Sequence, residues 1–134
     1  MFALAFDRAH SVLHLQLSGV FTSEDMYRFE RVALRFVEAN GPVHMLLDFS
    51  GTTALAVPAT KLSGRGQLPP LCPTRKRVMI MPSFELQAFG RTFGEYQRQA
   101  GHPAPLIVES LGEDLRALSN DDLTHFEPQP SLLG

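Results

Sequence analysis

Cysteine is nearly missing from this chain: Cys72 stands alone among 134 residues. One thiol excludes an internal disulfide and any multi-cysteine zinc site, which fits a reducing cytoplasm. Long apolar runs are missing too, none approaching the roughly 20 residues needed to span a bilayer. The opening Met1–Asp7 is too short for a signal h-region and has no basic n-region, so a cytoplasmic protein, not integral to a membrane, is expected. Acidic residues vanish between Phe49 and Phe84, where Lys61, Arg65, Arg75, Lys76 and Arg77 all fall. They return at the end as Glu109, Glu113, Asp114, Asp121, Asp122 and Glu127, against only Arg116. His10, His14, His44, His102 and His125 show no metal-ligand spacing, so neither a metal site nor a cofactor is expected.

What is present fits one globular domain. A chain near this length removes roughly 68 to 70% of its unfolded surface from water, enough for a real core. The 44% apolar and 19% charged content is ordinary, and a formal net charge of -2 argues against bulk nucleic-acid binding. The expected layout is a single domain over 1–126 and a flexible tail over 127–134.

Phe2, Leu4 and Phe6 alternate with smaller residues, and Val12 to Leu17 continue the period of two after Arg8-Ala9-His10, which predicts an antiparallel hairpin ended by Gly19. Thr22 with Asp25 three residues on starts a helix to about Ala39, whose core face is Met26, Phe29, Ala33, Phe36 and Val37. Asn40-Gly41-Pro42 stops it. Val43 to Phe49 is nearly continuous in apolar residues, as a central strand covered on both faces requires. Ser50 to Val57 is expected to be a loop, followed by a short helix from Pro58 to about Gly64 and an irregular Gly- and Pro-rich connection. Arg77–Met81 is a fourth strand, residues 84–100 a second long helix, Pro105–Val108 a fifth strand and Glu113–Leu118 a final helix, with a further turn over 121–126. Gly90 and Gly94 in the long helix cost about 1 kcal/mol each relative to alanine, which implies close packing against a neighbour. The fold class is α/β, a mixed five-stranded sheet with packed helices in the order ββαβαβαβα, strands three to five parallel.

Gly19-Val20-Phe21-Thr22-Ser23-Glu24-Asp25, Leu46-Leu47-Asp48-Phe49-Ser50 and Ala88-Phe89-Gly90-Arg91-Thr92-Phe93, set in this order of elements, resemble the SpoIIAA-like proteins over Phe2 to Leu118. That resemblance, to a bacterial family related to STAS and Sec14 domains, implies a β/α superhelix, no established enzymatic activity, and relatives that bind proteins, nucleotides or lipids. Anti-sigma-factor antagonists of this fold carry a switch serine in an Asp-Ser-Ser-Gly motif at a helix start. Here the matching stretch is Ala54-Leu55-Ala56-Val57-Pro58-Ala59-Thr60, with no serine, and Ser50-Gly51 lies too early, so no phosphosite is carried over.

Six residues are candidates for ligand contact. Asp48 and Ser50 stand where a strand is expected to meet its loop, although the favoured reading is an Asp that bonds loop amides and a Ser that caps a turn. Lys61, Arg65 and Arg77, together with Arg75 and Lys76 of the same acid-free segment, could converge on an anionic headgroup or phosphate, or form a solvated face. Arg91 could join them or pair with Glu95 one turn away. Phe84, Phe89, Phe93, Tyr96, Met79 and Met81 read as core or as the lining of an apolar cavity. Cys72, between prolines in an irregular segment, reads as incidental. The expected function is a non-enzymatic binding or regulatory module for a protein partner or a small anionic, apolar, lipid-like or phosphorylated ligand, at the loops after strands three and four. The alternatives are a structural homodimer, joined by a helix face or the first hairpin's edge, and an unrecognised enzyme.

Overall fold

The computed structural model describes residues 2–110 and 127–128. Strand β1 (Phe2–Asp7) turns back into β2 (Val12–Thr22), and α1 (Ser23–Asn40) carries the chain to β3 (His44–Ala56). Helix α2 (Ala59–Gly66), β4 (Arg77–Ile80), α3 (Phe84–Gln99) and β5 (Leu106–Val108) follow, and a two-residue β6 (Glu127–Pro128) ends the described chain. One sheet holds them all in the order β5-β4-β3-β2-β1-β6. β1 is antiparallel to β2, whereas β2, β3, β4 and β5 run parallel, so the expected mixed α/β sheet is present. β6 pairs with Ala5 and Phe6 of β1. The helix expected at 113–118 and the turn at 121–126 lie outside the described residues.

Period-two alternation decides what each face buries. Leu4, Phe6, Leu13, Leu15, Met45, Leu47, Phe49 and Met79 point to the helices and join Met26, Ala33, Phe36 and Leu86 in the main core. Val12, Leu46, Val78 and Ile80 form a smaller buried cluster on the opposite face. Helix α1 earns its position by sequence. Thr22 accepts the Asp25 amide and Asp25 accepts the Thr22 amide, closing the capping box. At the other end Gly41 sits at φ +85 and donates its N–H to the Val37 carbonyl, a conformation only glycine adopts without strain.

Two expectations fail at the same place. Gly19 does not end β2, and Ser50 to Val57 is not a loop: β3 runs on beside β2 as far as the Thr22–Ala56 pair. The register shifts between Gln16 and Ser18 and again between Gly19 and Val20, and these bulges hide the alternation that sequence patterning relies on. Gly51 lets the two strands approach closely there: a Cβ would stand 3.1 Å from the Ser18 Cβ, so Ser18 would have to give way by a few tenths of an ångström. Gly19, at φ +76, takes a backbone shape closed to most residues.

Candidate functional site

β2, β3 and β4 each hand over to a helix at their carboxyl ends, so α1, α2 and α3 all begin on one rim of the sheet. Thr22 caps α1, and the Ser83 hydroxyl caps α3 by accepting the Leu86 amide at 3.2 Å. Exposed apolar side chains flank these helix starts: Val20 near the end of β2 is 48% exposed, Tyr27 early in α1 39%, and Phe84, the first residue of α3, 81%. Cations lie on two of the rings. Lys61 Nζ is 6.0 Å from the Tyr27 centroid, and the Arg91 guanidinium carbon is 5.8 Å from that of Phe84.

Phe84 was grouped by spacing with the core aromatics, and the structure corrects this: it is the most exposed large apolar side chain among the described residues. Arg91 does not take Glu95, which instead pairs with Arg98. An open groove of about 510 Å³ beside Arg91 is lined by Gln87, Ile107, Val108 and Glu109.

Asp48 and Ser50 lie within β3 and not at its end. The Asp48 carboxylate is buried beside His14, with Nε2 and Oδ2 3.2 Å apart, and its Oδ1 accepts the Ser50 amide at 2.9 Å. Burial pushes the Asp48 carboxyl up, but the hydrogen bonds from His14 and from the Ser50 side chain and backbone outweigh it and leave it below the usual carboxylate range. An open recess of about 290 Å³ adjoins the pair, lined by Gln16, Ser18 and Gly51 among others.

The five basic residues of the acid-free segment divide. Arg65 and Arg77 line one partly open cavity of about 70 Å³ between the sheet and the helices, together with Phe29, Met45, Met79, Phe89 and Phe93. Lys61 stays on the surface over Tyr27, and Arg75 and Lys76 are exposed near His44. His44 Nδ1 accepts the Lys76 amide at 3.0 Å, and burial with the charges of Arg75 and Lys76 holds its pKa down.

Inside the cavity wall Arg65 bonds Glu30 on α1 through Nε and the Leu68 carbonyl through Nη1 at 3.3 Å. Arg77 bonds the Gln97 Oε1 at 2.8 Å and the Pro103 carbonyl. Gln97 is fully buried, and its amide nitrogen donates to the carbonyls of Gly66 and Leu68. Burial, with the like charge of Arg65 nearby, lowers the Arg77 pKa to about 10, so it remains protonated at neutral pH.

Glu30, Gln97 and His14 escaped the sequence reading. Gln97 could have been found, since Gly90, Gly94 and Gln97 share the buried face of α3 at spacings of four and three. Glu30 and His14 have partners more than thirty positions away, and no local pattern shows that. Cys72, on the connection between α2 and β4, is a free thiol 3% exposed in the main core, a placement that suits an inert packing residue.

Glu30 and Asp48 give opposite pH signatures. Burial raises the Glu30 carboxyl above its ordinary 4.5, more than the Arg65 charge and hydrogen bond lower it, so Glu30 loses stability as pH rises from 4.5 through its folded value. Asp48, held low, stabilises above an unfolded value near 3.8 and loses that contribution as pH falls through its folded one. Urea unfolding across this range should therefore show Glu30→Gln gaining on the wild type as pH rises above 4.5, and Asp48→Asn closing its deficit as pH falls below 3.8. Offsets that stay constant with pH in both variants contradict these environments.

The architecture is the SpoIIAA/STAS-like α/β fold. A solved structure titled as the anti-sigma factor antagonist SpoIIAA in its unphosphorylated form superposes with a TM-score of 0.57 at 10% identity, covering 87% of this chain and 96% of that one. No family model and no curated protein sequence matches the chain.

Proposed function

We propose that this chain is a non-enzymatic regulatory module that recognises a partner protein through the rim where β2, β3 and β4 pass into their helices. Phe84 is the observation that carries this. A phenylalanine 81% exposed contributes little to the core, while burying such a ring on association removes on the order of 150–250 Å² from water. Aromatic rings and arginine, here Tyr27 and Phe84 with Arg91 over the Phe84 ring, are the residue types enriched at interface centres. The shared fold supports the proposal, because SpoIIAA is titled as acting on another protein. A lipid-like ligand fits less well: the cavity of about 70 Å³ between the sheet and the helices is roughly half of one that holds a benzene ring and has no room for an acyl chain.

A bacterial cytoplasmic setting belongs to the same proposal; no helix among the described residues is long and apolar enough to cross a membrane. The homodimer alternative through the first hairpin is less favoured, since β6 already occupies part of the outer edge of β1.

Phe84→Ala is expected to change folding stability by no more than about 0.5 kcal/mol, as exposed substitutions do, and to weaken partner binding at least about tenfold. Affinity purification of both forms from the source cell, quantified by mass spectrometry, measures the second effect. Equal recovery of the same proteins by both forms rejects this surface, and a dimer in sedimentation that Phe84→Ala dissociates would make the partner a second copy.

A further inference from the structure

We infer that the cavity between the sheet and α1, α2 and α3 binds a small carboxylate whose apolar tail of about three or four carbons enters it while Arg77 and Arg65 take the head. This goes beyond partner recognition at the rim and does not depend on it. Charge is the first ground. Two guanidiniums line the cavity against one carboxylate, Glu30, which is already bonded to Arg65. Among the described residues Arg77 bonds neutral acceptors, the Gln97 side-chain oxygen and the Pro103 carbonyl. A half-buried guanidinium set against apolar groups, with no carboxylate bonded to it among the described residues, is partly desolvated without a counter-charge, and an entering carboxylate offsets that cost.

Donor inventory is the second ground. A guanidinium has five N–H groups, and the bonds described above use two on each arginine, which leaves donors for a further carboxylate in the fork geometry that suits it. Shape is the third. The walls are Met45, Met79, Phe89, Phe93 and Ala33, and the volume of about 70 Å³ is roughly half of one that holds a benzene ring, which sets the tail length. Acetate leaves this space empty, and a fatty acid exceeds it.

The test uses isovalerate as probe, with acetate and isovaleramide as partners lacking the tail and the charge. Titration into protein labelled at the methionine methyls should move the Met45 and Met79 signals saturably at millimolar isovalerate, with acetate and isovaleramide each at least about tenfold weaker. Arg77→Met should lose about tenfold. Ala33→Leu, which fills the cavity from α1, should abolish binding while the circular dichroism spectrum stays native. Should Arg77→Met fail to fold, Arg65→Gln and Ala33→Leu supply the same comparison. No saturable shift by about 20 mM isovalerate, equal binding of the amide or of acetate, or undiminished binding by the folded variants overturns the assignment.

Discussion

Phe36→Ala should lower the free energy of unfolding by about 3–5 kcal/mol, a large part of the roughly 5–15 kcal/mol that holds a domain together. Phe36 is 2% exposed on the inner face of α1, and its ring meets Phe6 of β1 edge-on, with centroids 4.7 Å apart. Removing it deletes both the transfer of a large ring from water and an aromatic pair that adds about 0.5–1.5 kcal/mol. Phe6, Val32 and Ala33 lie on fixed elements, so little can move in to close the gap. Urea unfolding with an unchanged slope measures the loss. A cost under about 1.5 kcal/mol would show that the layer between α1 and the sheet repacks freely, contrary to close packing of interiors.

The second large effect is a sign reversal over two positions of α2. Gly66→Ala should destabilise by about 1–3 kcal/mol, because its Cβ would fall 2.4 Å from the Tyr96 Cβ, an atom held close to the α3 backbone. Gly64→Ala meets nothing within 4 Å and should stabilise by about 0.4–1 kcal/mol by restricting the unfolded chain. Thermal melts of the two single variants and the double variant check both. Similar shifts of one sign would mean that α2 and α3 are not in tight contact at Gly66.

Elements defined by local chemistry were legible in the sequence. The Thr22–Asp25 spacing specifies the start of α1, Gly41 its end, and the apolar run from Val43 to Phe49 the buried part of β3. Gly90 and Gly94 were legible as contact points, and a Cβ at Gly90 would indeed meet Met81 and Ile107. The second half of β3 was not legible, since Gly51-Thr52-Thr53 breaks alternation exactly where the strand bulges, and propensity alone does not see pairing with β2. The interior charges were half legible: an acid-free basic segment signals Arg65 and Arg77, but Glu30 comes from another helix 35 residues away. Phe84 was misplaced because helical spacing assigns a residue to a face without saying where the neighbouring layer stops.

The strand order also has a consequence for the growing polypeptide. Residues 2–56 supply β1, β2, α1 and β3, three adjacent strands with the helix that joins two of them. This half can associate on the ribosome before β4 is synthesised, because none of its pairings awaits a later segment. What emerges afterwards extends the sheet from β3 through β4 to β5, and β6 comes last, on the far side of β1. Assembly thus proceeds outward from the amino-terminal half, and the outermost strand on either flank is the latest on that flank to leave the ribosome or the shortest pairing it must make.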